Sequence, residues 1–282
     1  MNTDTPLPDE YISPLYWPEF INTVSIPSFL HPTRIGDRAD NAWRLWPVSV
    51  ESYHSEGEPN LAASAPFSLP FRLVMWHRDT DTAPHPKGWV AFRSRPESVI
   101  GFSDITNLKE YTTRWSKGAR RERALFQKRF SHAYSIERTT YPEFENAYLR
   151  GTIRPILKHI LVKTIVKPHT QKNSEHVTLW VARRRADTKI VAGIATLDSP
   201  TGNGSYYLAG FYLREVSKIP LMTALIDNWF TVSQQKGLRF MHFGLFYQPG
   251  DPRAWKGYSN FKAKFGVQYA SRPPTLYKWI RG

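Results

Sequence analysis

The order of periodicities between residues 176 and 280 constrains the fold more than any other feature of the chain. Three apolar stretches come first, "HVTLWVARR" (176–184), "KIVAGIATLDS" (189–199) and "SYYLAGFYL" (205–213), each with the length and side chains of a strand. The first two form a hairpin across "RADT". "PLMTALIDNWFTVSQQKG" (220–237) switches to helical spacing: Leu221, Met222, Leu225, Ile226, Trp229, Phe230 and Val232 share one face, and Gly237 caps the end. "RFMHFGLF" returns to strand, a second helix is predicted after "QPGDP", and "VQYAS" and "TLYKWI" close the chain as strands. Antiparallel strands followed by strand–helix–strand–helix–strand make an α+β pattern.

The first 70 residues are rich in Pro, Ser and polar groups, with aromatic islands such as "YISPLYW" and "NAWRLWPVSV". Loops, short strands and a partly disordered start are expected there. "FRLVMWHR" (71–78) and "GWVAFRS" (88–94) read as paired strands joined by the loop "DTDTAPHPK". From residue 107 the pattern becomes helical and basic, with eight Lys or Arg between Lys109 and Arg129. Arg114, Lys117 and Arg121 recur at helical spacing as one stripe, beside Arg120, and Gly118 is the place where such a helix would break. "HAYSIERT" alternates as a strand, and Thr140-Tyr-Pro-Glu143 opens a helix with capping-box spacing. An apolar helix is expected from Pro155 to Val166, stopping before Pro168. These shifts divide the chain into a reduced N-terminal lobe, 1–106, and a main domain, 107–282.

Composition narrows the chemistry. With no cysteine, disulfides, thiolate catalysis and Cys-based zinc sites are excluded. Nine histidines show no ligand spacing with carboxylates, so no metal site is expected. The acidic, proline-rich "MNTDTPLPDE" is not a signal peptide, and the most apolar run, "ILKHILVKTIV", is short and charged. A soluble, cytoplasmic protein is therefore expected. A net charge of +14 points to an anionic partner: tRNA, a nucleotide-linked substrate or an anionic lipid surface.

One lysine stands out. In "GYSNFKAKFG" (257–266), at about 100° per residue, Trp255, Tyr258, Phe261 and Phe265 fall within one arc of about 120°. Lys262 lies inside that arc, while Lys256 and Lys264 point elsewhere. The plainer alternative is a snorkelling lysine, its stem on Trp255 and Tyr258 and its ammonium in water. Tyr206 and Tyr207 should point to opposite faces of their strand, where core packing accounts for both. His242, at a strand end, is a candidate general base or a structural histidine. Asp251-Pro252 reads as a helix start, with Asp251 capping.

The order "IVAGIATLDS…SYYLAGFYL…LIDNWFTVSQQKGLRFMHFGLF…GDPRAWKGYSNFKAKFG" resembles the FemABX group, aminoacyl transferases that build peptidoglycan precursors on the GNAT (Gcn-related N-acetyltransferase) fold. "EYTTRWSKGARRERALFQK" is similar to the basic helix that enters this domain, and the resemblance covers roughly 107–270. It implies a mixed, mostly antiparallel sheet flanked by helices, in a bacterial enzyme. The chain departs from the family's usual two subdomains and coiled-coil arm, since only about 106 residues precede the basic helix and no arm is visible. The resemblance implies acyl transfer from aminoacyl-tRNA to an amine, with no further cofactor and no Ser or Cys nucleophile. The Phe-Lys pair matches Phe261-Lys262, with Lys262 facing the reacting ester and the tRNA acceptor end. Phe261 is then its packing neighbour and Tyr258 its companion on the catalytic face. Arg114, Lys117, Arg120 and Arg121 would meet tRNA phosphates or a nucleotide diphosphate, with Trp255, Lys256, Tyr207 and His242 completing the substrate surface. The acceptor would be an anionic nucleotide-linked or lipid-linked amine, which leaves peripheral membrane contact open. Acetyl-CoA enzymes of this fold cradle pyrophosphate on a glycine-rich loop, and "LREVSKIPLMTAL" has no glycine. Acyl-CoA-dependent N-acyl transfer is thus the enzyme alternative, and a non-catalytic, basic RNA-binding module on a GNAT scaffold the other.

Overall fold

The computed structural model describes residues 11, 14, 17, 33–35, 40–45, 47–55, 57–61, 69–78, 86–91, 98–106, 108–152, 159, 161–249, 251, 253–273 and 275–281. The Pro-rich start, the core of the 79–87 loop and most of the helix expected over 155–160 lie outside them. Two sheets carry the fold. One has six strands in the order β1-β2-β3-β4-β13-β5: β1 (Thr33–Ile35), β2 (Asp40–Leu45), β3 (Val48–His54), β4 (Phe71–His77), β13 (Leu276–Arg281) and β5 (Val90–Ala91). The other has seven in the order β12-β6-β11-β10-β9-β8-β7: β12 (Gln268–Arg272), β6 (Ser98–Asp104), β11 (Phe240–Leu245), β10 (Gly204–Tyr212), β9 (Ile190–Ser199), β8 (Val177–Arg184) and β7 (Tyr134–Arg138). All its pairings are antiparallel except β10 with β11.

Helices cover the seven-stranded sheet on both faces, which is why every residue of β9 is buried. On one face lie α1 (Leu108–Arg114), α2 (Lys117–Arg129) and α5 (Leu221–Gln235), with Trp115, Trp229, Phe230, Phe243 and Phe265 in the core between. On the other, α3 (Tyr141–Leu149) and a π-helical turn, Leu161–Val166, leading into α4 (Lys167–Lys172), bury Phe144, Tyr148, Val162 and Val166 against Phe211. The apolar face of α5 is as its spacing predicts, with Met222 and Val232 at its half-buried margin. Gly237 ends the helix at φ 77°, and Leu238 N–H bonds to Ser233 O at 2.9 Å while Gly237 N–H reaches Gln234 O. Among the described residues the six-stranded sheet carries no α-helix of its own.

Several local expectations change. β4 and β5 do not pair with each other; both pair antiparallel with β13, which supplies Leu276 and Ile280 to the core of Val74, Trp76 and Trp89. Conversely β6 leaves the first sheet and inserts between β11 and β12. The two sheets thus exchange strands across residue 106. The basic helix breaks at Trp115-Ser116, not at Gly118, because Ser116 caps α2: its Oγ accepts from Ala119 N–H at 3.2 Å. The helical chain runs through Pro168, which sits in the first turn of α4 where a missing N–H is harmless. At α3 the Thr140 side chain makes no capping bond, and Thr139 Oγ1 donates to Glu143 instead.

Candidate active site

β10 and β11 run parallel but pair only over Gly204–Tyr206 with Phe240–His242. Past that point β10 bulges at Leu208 while staying with β9, and β11 shifts register against β6. The strands part, leaving backbone carbonyls of β11 without a strand partner on that side. Gly244 sits at the parting with φ 69°, and a Cβ there would stand 2.4 Å from the Tyr206 hydroxyl. Only glycine gives both the conformation and the room.

Lys262, the last residue of α6 (Ala254–Lys262), fills that gap. Only 5% exposed, it donates from Nζ to the Phe243 carbonyl and, at 3.3 Å, to the Leu245 carbonyl. Nζ also stands 4.3 Å from the Tyr258 ring centroid and 5.4 Å from that of Phe246. Burial pushes its pKa down from the ordinary 10.5 to about 7. The ammonium is therefore not snorkelling. While protonated it has three N–H donors; among the described residues two carbonyls take two of them, which leaves one for a ligand.

The rest of the segment holds Lys262 in place. Phe265 is fully buried, edge-on to Phe261 and Trp115 at 5.1 and 5.0 Å and stacked on Phe243. Ser259 Oγ accepts from Tyr247 N–H at 2.8 Å, tying the loop after β11 to the helix. Two expectations fail here. Trp255 and Tyr258 are each 42% exposed, because no described element covers the first half of α6. Asp251 does not cap it either: its carboxylate accepts from Gln248 N–H, closing the preceding turn, and Arg253 is the N-cap.

Tyrosine hydroxyls gather beside this lysine. Tyr207 packs toward α5 and Tyr206 toward α3, the opposite faces expected of neighbours on a strand. The Tyr258 hydroxyl interacts with that of Tyr207 and feels those of Tyr148 and Tyr206. Burial raises Tyr148 and Tyr207 well above the ordinary tyrosine pKa, and Tyr258 rises too, because its hydroxyl end is buried against theirs while the rest of the side chain is exposed. Tyr148 was not among the residues the sequence singled out: at helical spacing from Phe144 it reads only as core.

The basic surface adjoins this site. Arg114, on α1, and Lys117, Arg120 and Arg121, on α2, are all exposed, though the helix break splits them between two helices. Among the described residues Lys117, Arg120 and Arg121 form no ion pair. Ser116 N–H donates to Lys264 O at 2.8 Å, and Lys264 Nζ pairs with Glu122 at 2.9 Å. The junction of α1 and α2 is thus docked on the segment that carries Lys262; Lys256 is exposed on α6 beyond it. His242 is elsewhere. It lies on the sheet face opposite Met241 and Phe243, its ring 4.9 Å from Trp17 and 5.3 Å from Tyr11.

The turn from β10 to α5 is closed on itself over much of its length. N–H groups of Val216, Ser217, Ile219 and Leu221 bond to carbonyls of the same turn at 2.8–3.2 Å. Glu122 also faces the first turn of α5, accepting from Thr223 Oγ1 at 2.6 Å, where its charge would repel a phosphate. Among the described residues no group of three or more His, Asp or Glu could hold a metal, and no helix is long and apolar enough to cross a membrane.

No family model and no curated protein matches the sequence. Solved structures do match. FemX aligns over 97% of this chain and 92% of its own with a TM-score of 0.64 at 9% identity. L-PGS from Bacillus licheniformis aligns over 88% and 83%, TM-score 0.55, at 12% identity. A tandem GNAT protein from the clavulanic acid biosynthesis pathway aligns over 93% and 87%, TM-score 0.50, at 9% identity. The likeness takes in both sheets and is not confined to 107–270. The chain has the GNAT-like α+β fold that FemX, L-PGS and the tandem GNAT protein share.

Proposed function

We propose that the protein is an aminoacyl transferase, moving an activated acyl group from aminoacyl-tRNA to an amine on a nucleotide-linked or lipid-linked acceptor such as a peptidoglycan precursor. The observation that carries this reading is the buried ammonium of Lys262 at the parting of β10 and β11, with one N–H uncommitted. In the reaction the amine attacks the ester carbonyl carbon, a C–N bond forms, and the carbonyl oxygen becomes an oxyanion. Collapse breaks the C–O bond to the ribose; the amine loses a proton and the ribose oxygen gains one. A cation already stripped of water meets the oxyanion without solvent reorganisation. Phe261 anchors α6 through Phe265, and Tyr258 places its ring under the ammonium.

The closed turn before α5 supports this choice of donor. Four of the turn's N–H groups are used internally and Glu122 stands against the helix start, which disfavours a CoA pyrophosphate there. The exposed Arg114, Lys117, Arg120 and Arg121 suit tRNA phosphates, with Trp255 and Lys256 nearer the reacting end. A cytoplasmic site of action fits such a donor, and no further cofactor is required.

The test is label transfer from charged tRNA, run beside acetyl-CoA. Consumption of charged tRNA alone is expected, with Lys262→Met folded but slowed ~10²-fold, the size of losing one oxyanion partner. Consumption of acetyl-CoA alone would establish the acyl-CoA alternative. If neither is consumed while tRNA binding survives Lys262→Ala, the protein is a binding module.

A further inference from the structure

Tyr148 and Tyr207 present a problem that packing does not solve. Both side chains are buried; among the described residues the Tyr148 hydroxyl has no hydrogen-bond partner, and the Tyr207 hydroxyl has only the Tyr258 hydroxyl beside it. Buried hydroxyls are nearly always paired, because an unmet one forfeits its bond to water. Phenylalanine would fill either space without that cost. The fold also makes room for one of these groups: the Tyr207 hydroxyl lies over Gly210, 1.9 Å from where a Cβ would stand. The two phenols come from opposite faces of the sheet, Tyr207 from the α5 side and Tyr148 from α3. Tyr258 links them, its hydroxyl adjoining Tyr207 and sensing Tyr148, its ring under the Lys262 ammonium.

We infer that the Tyr148 and Tyr207 hydroxyls form a subsite that takes the carbonyl oxygen of the acyl group under transfer. This deepens the acyl-transfer reading and rests on it. Burial keeps both phenols protonated throughout the working pH range, so each always has an O–H to donate. The bond shared by Tyr207 and Tyr258 uses one O–H, so the three phenols still hold two O–H groups with no acceptor, and these call for an atom that only accepts. A carbonyl oxygen is such an atom, and it gains charge only as the tetrahedral state forms, when the bonds strengthen. An ammonium group offers no acceptor and would stand beside Lys262 as a like charge.

Tyr148→Phe and Tyr207→Phe test this. Each variant should melt at or above the wild-type temperature, since an unmet hydroxyl is removed. Transfer from charged tRNA should fall ~10²-fold in kcat with KM for tRNA little changed. Saturation-transfer NMR with alanine methyl ester as the probe reads the subsite without tRNA: signal in the wild type, lost in both variants. A lower melting temperature in both variants would mean the hydroxyls hold the fold, and would overturn the inference. So would full transfer in both variants, or an ester signal that is equal in all three proteins or absent from the wild type. If the wild type transfers from neither charged tRNA nor acetyl-CoA, the acyl-transfer reading fails, and the ester signal still decides the subsite.

Discussion

Lys262→Met removes a buried charge and keeps a side chain of similar length, so its effect on stability can be worked out as a function of pH. In the folded protein burial pushes the lysine down to about 7, while in the unfolded chain it returns to the ordinary 10.5. Between those values the unfolded chain holds a proton that the folded one lacks. Folding then releases a proton, and stability rises with pH. Below pH 7 both states are protonated and the cost of burying the charge is present in full. The gap of about 3.5 units, at 1.36 kcal/mol each, sets that cost at about 5 kcal/mol. It fades as pH climbs toward 10.5.

The methionine variant has no such dependence. It leaves the Phe243 and Leu245 carbonyls unmet and loses the contact with Tyr258, but those losses do not change with pH. The wild type should therefore gain about 2.5 kcal/mol on the variant between pH 7.5 and 9.5. Urea unfolding of both proteins at each pH measures it; with a slope near 3 kcal/mol/M the midpoints should converge or cross by about 0.8 M. Every other titrating group is common to both and cancels. Midpoints that run parallel over this range would refute a buried, depressed lysine whatever their offset.

Three other outcomes are expected. If the Lys262 cation meets the oxyanion, kcat should fall as pH rises through about 7, and the limb should vanish in Lys262→Met; a rise through 7 would assign Lys262 as a proton acceptor instead. Replacing Lys117, Arg120 and Arg121 with alanine should flatten the salt dependence of tRNA binding by about one unit of slope per lost phosphate contact, and an unchanged slope would remove that face from the tRNA site. Gly244→Ala should cost about 1–3 kcal/mol in chemical denaturation, from its φ of 69° and from the Tyr206 hydroxyl 2.4 Å from the new Cβ; a wild-type midpoint would refute that strain.

Local pattern made the main domain legible. β8, β9, β10 and α5 follow from periods of 2 and 3.6, and Gly237 from the need for a left-handed residue after the helix. Lys262 was visible because its neighbours on the wheel are aromatic. The expected burial of Trp255 and Tyr258 was wrong for the same reason: a wheel gives direction, not what lies over it. Strand exchange left no local signature. Nothing in "TLYKWI" says that it pairs with a strand some 200 residues earlier, since β13 and β4 are both plain alternating segments. The break before α2 was within reach, because Ser116 is a good cap, but the glycine two places on was the louder signal. Tyr148 lay out of reach, since an unmet hydroxyl exists only once the elements around it are placed.

The docking of α1 and α2 on the Lys262 segment ties the exposed basic stripe to the buried lysine. Ser116 N–H to Lys264 O, Lys264 to Glu122, and Ser103 Oγ to Phe265 O at 2.8 Å join three stretches that are far apart in sequence. Gly266, at φ 68°, lets the Arg114 backbone come close; a Cβ there would stand 2.8 Å from Arg114 Cβ. The exposed cations and the buried one are thereby held on one rigid body and divide the work by burial. Under the proposed function Arg114, Lys117, Arg120 and Arg121, in water, would hold phosphates through screened, sequence-independent attraction. Lys262, out of water, has too strong a field to serve as a phosphate anchor exchanging with bulk ions, and is suited to charge that appears only during reaction. A donor whose phosphates and reacting ester lie in one rigid strand end would use both at once. A small acyl-CoA bound at the β10–α5 turn would leave the exposed cations idle.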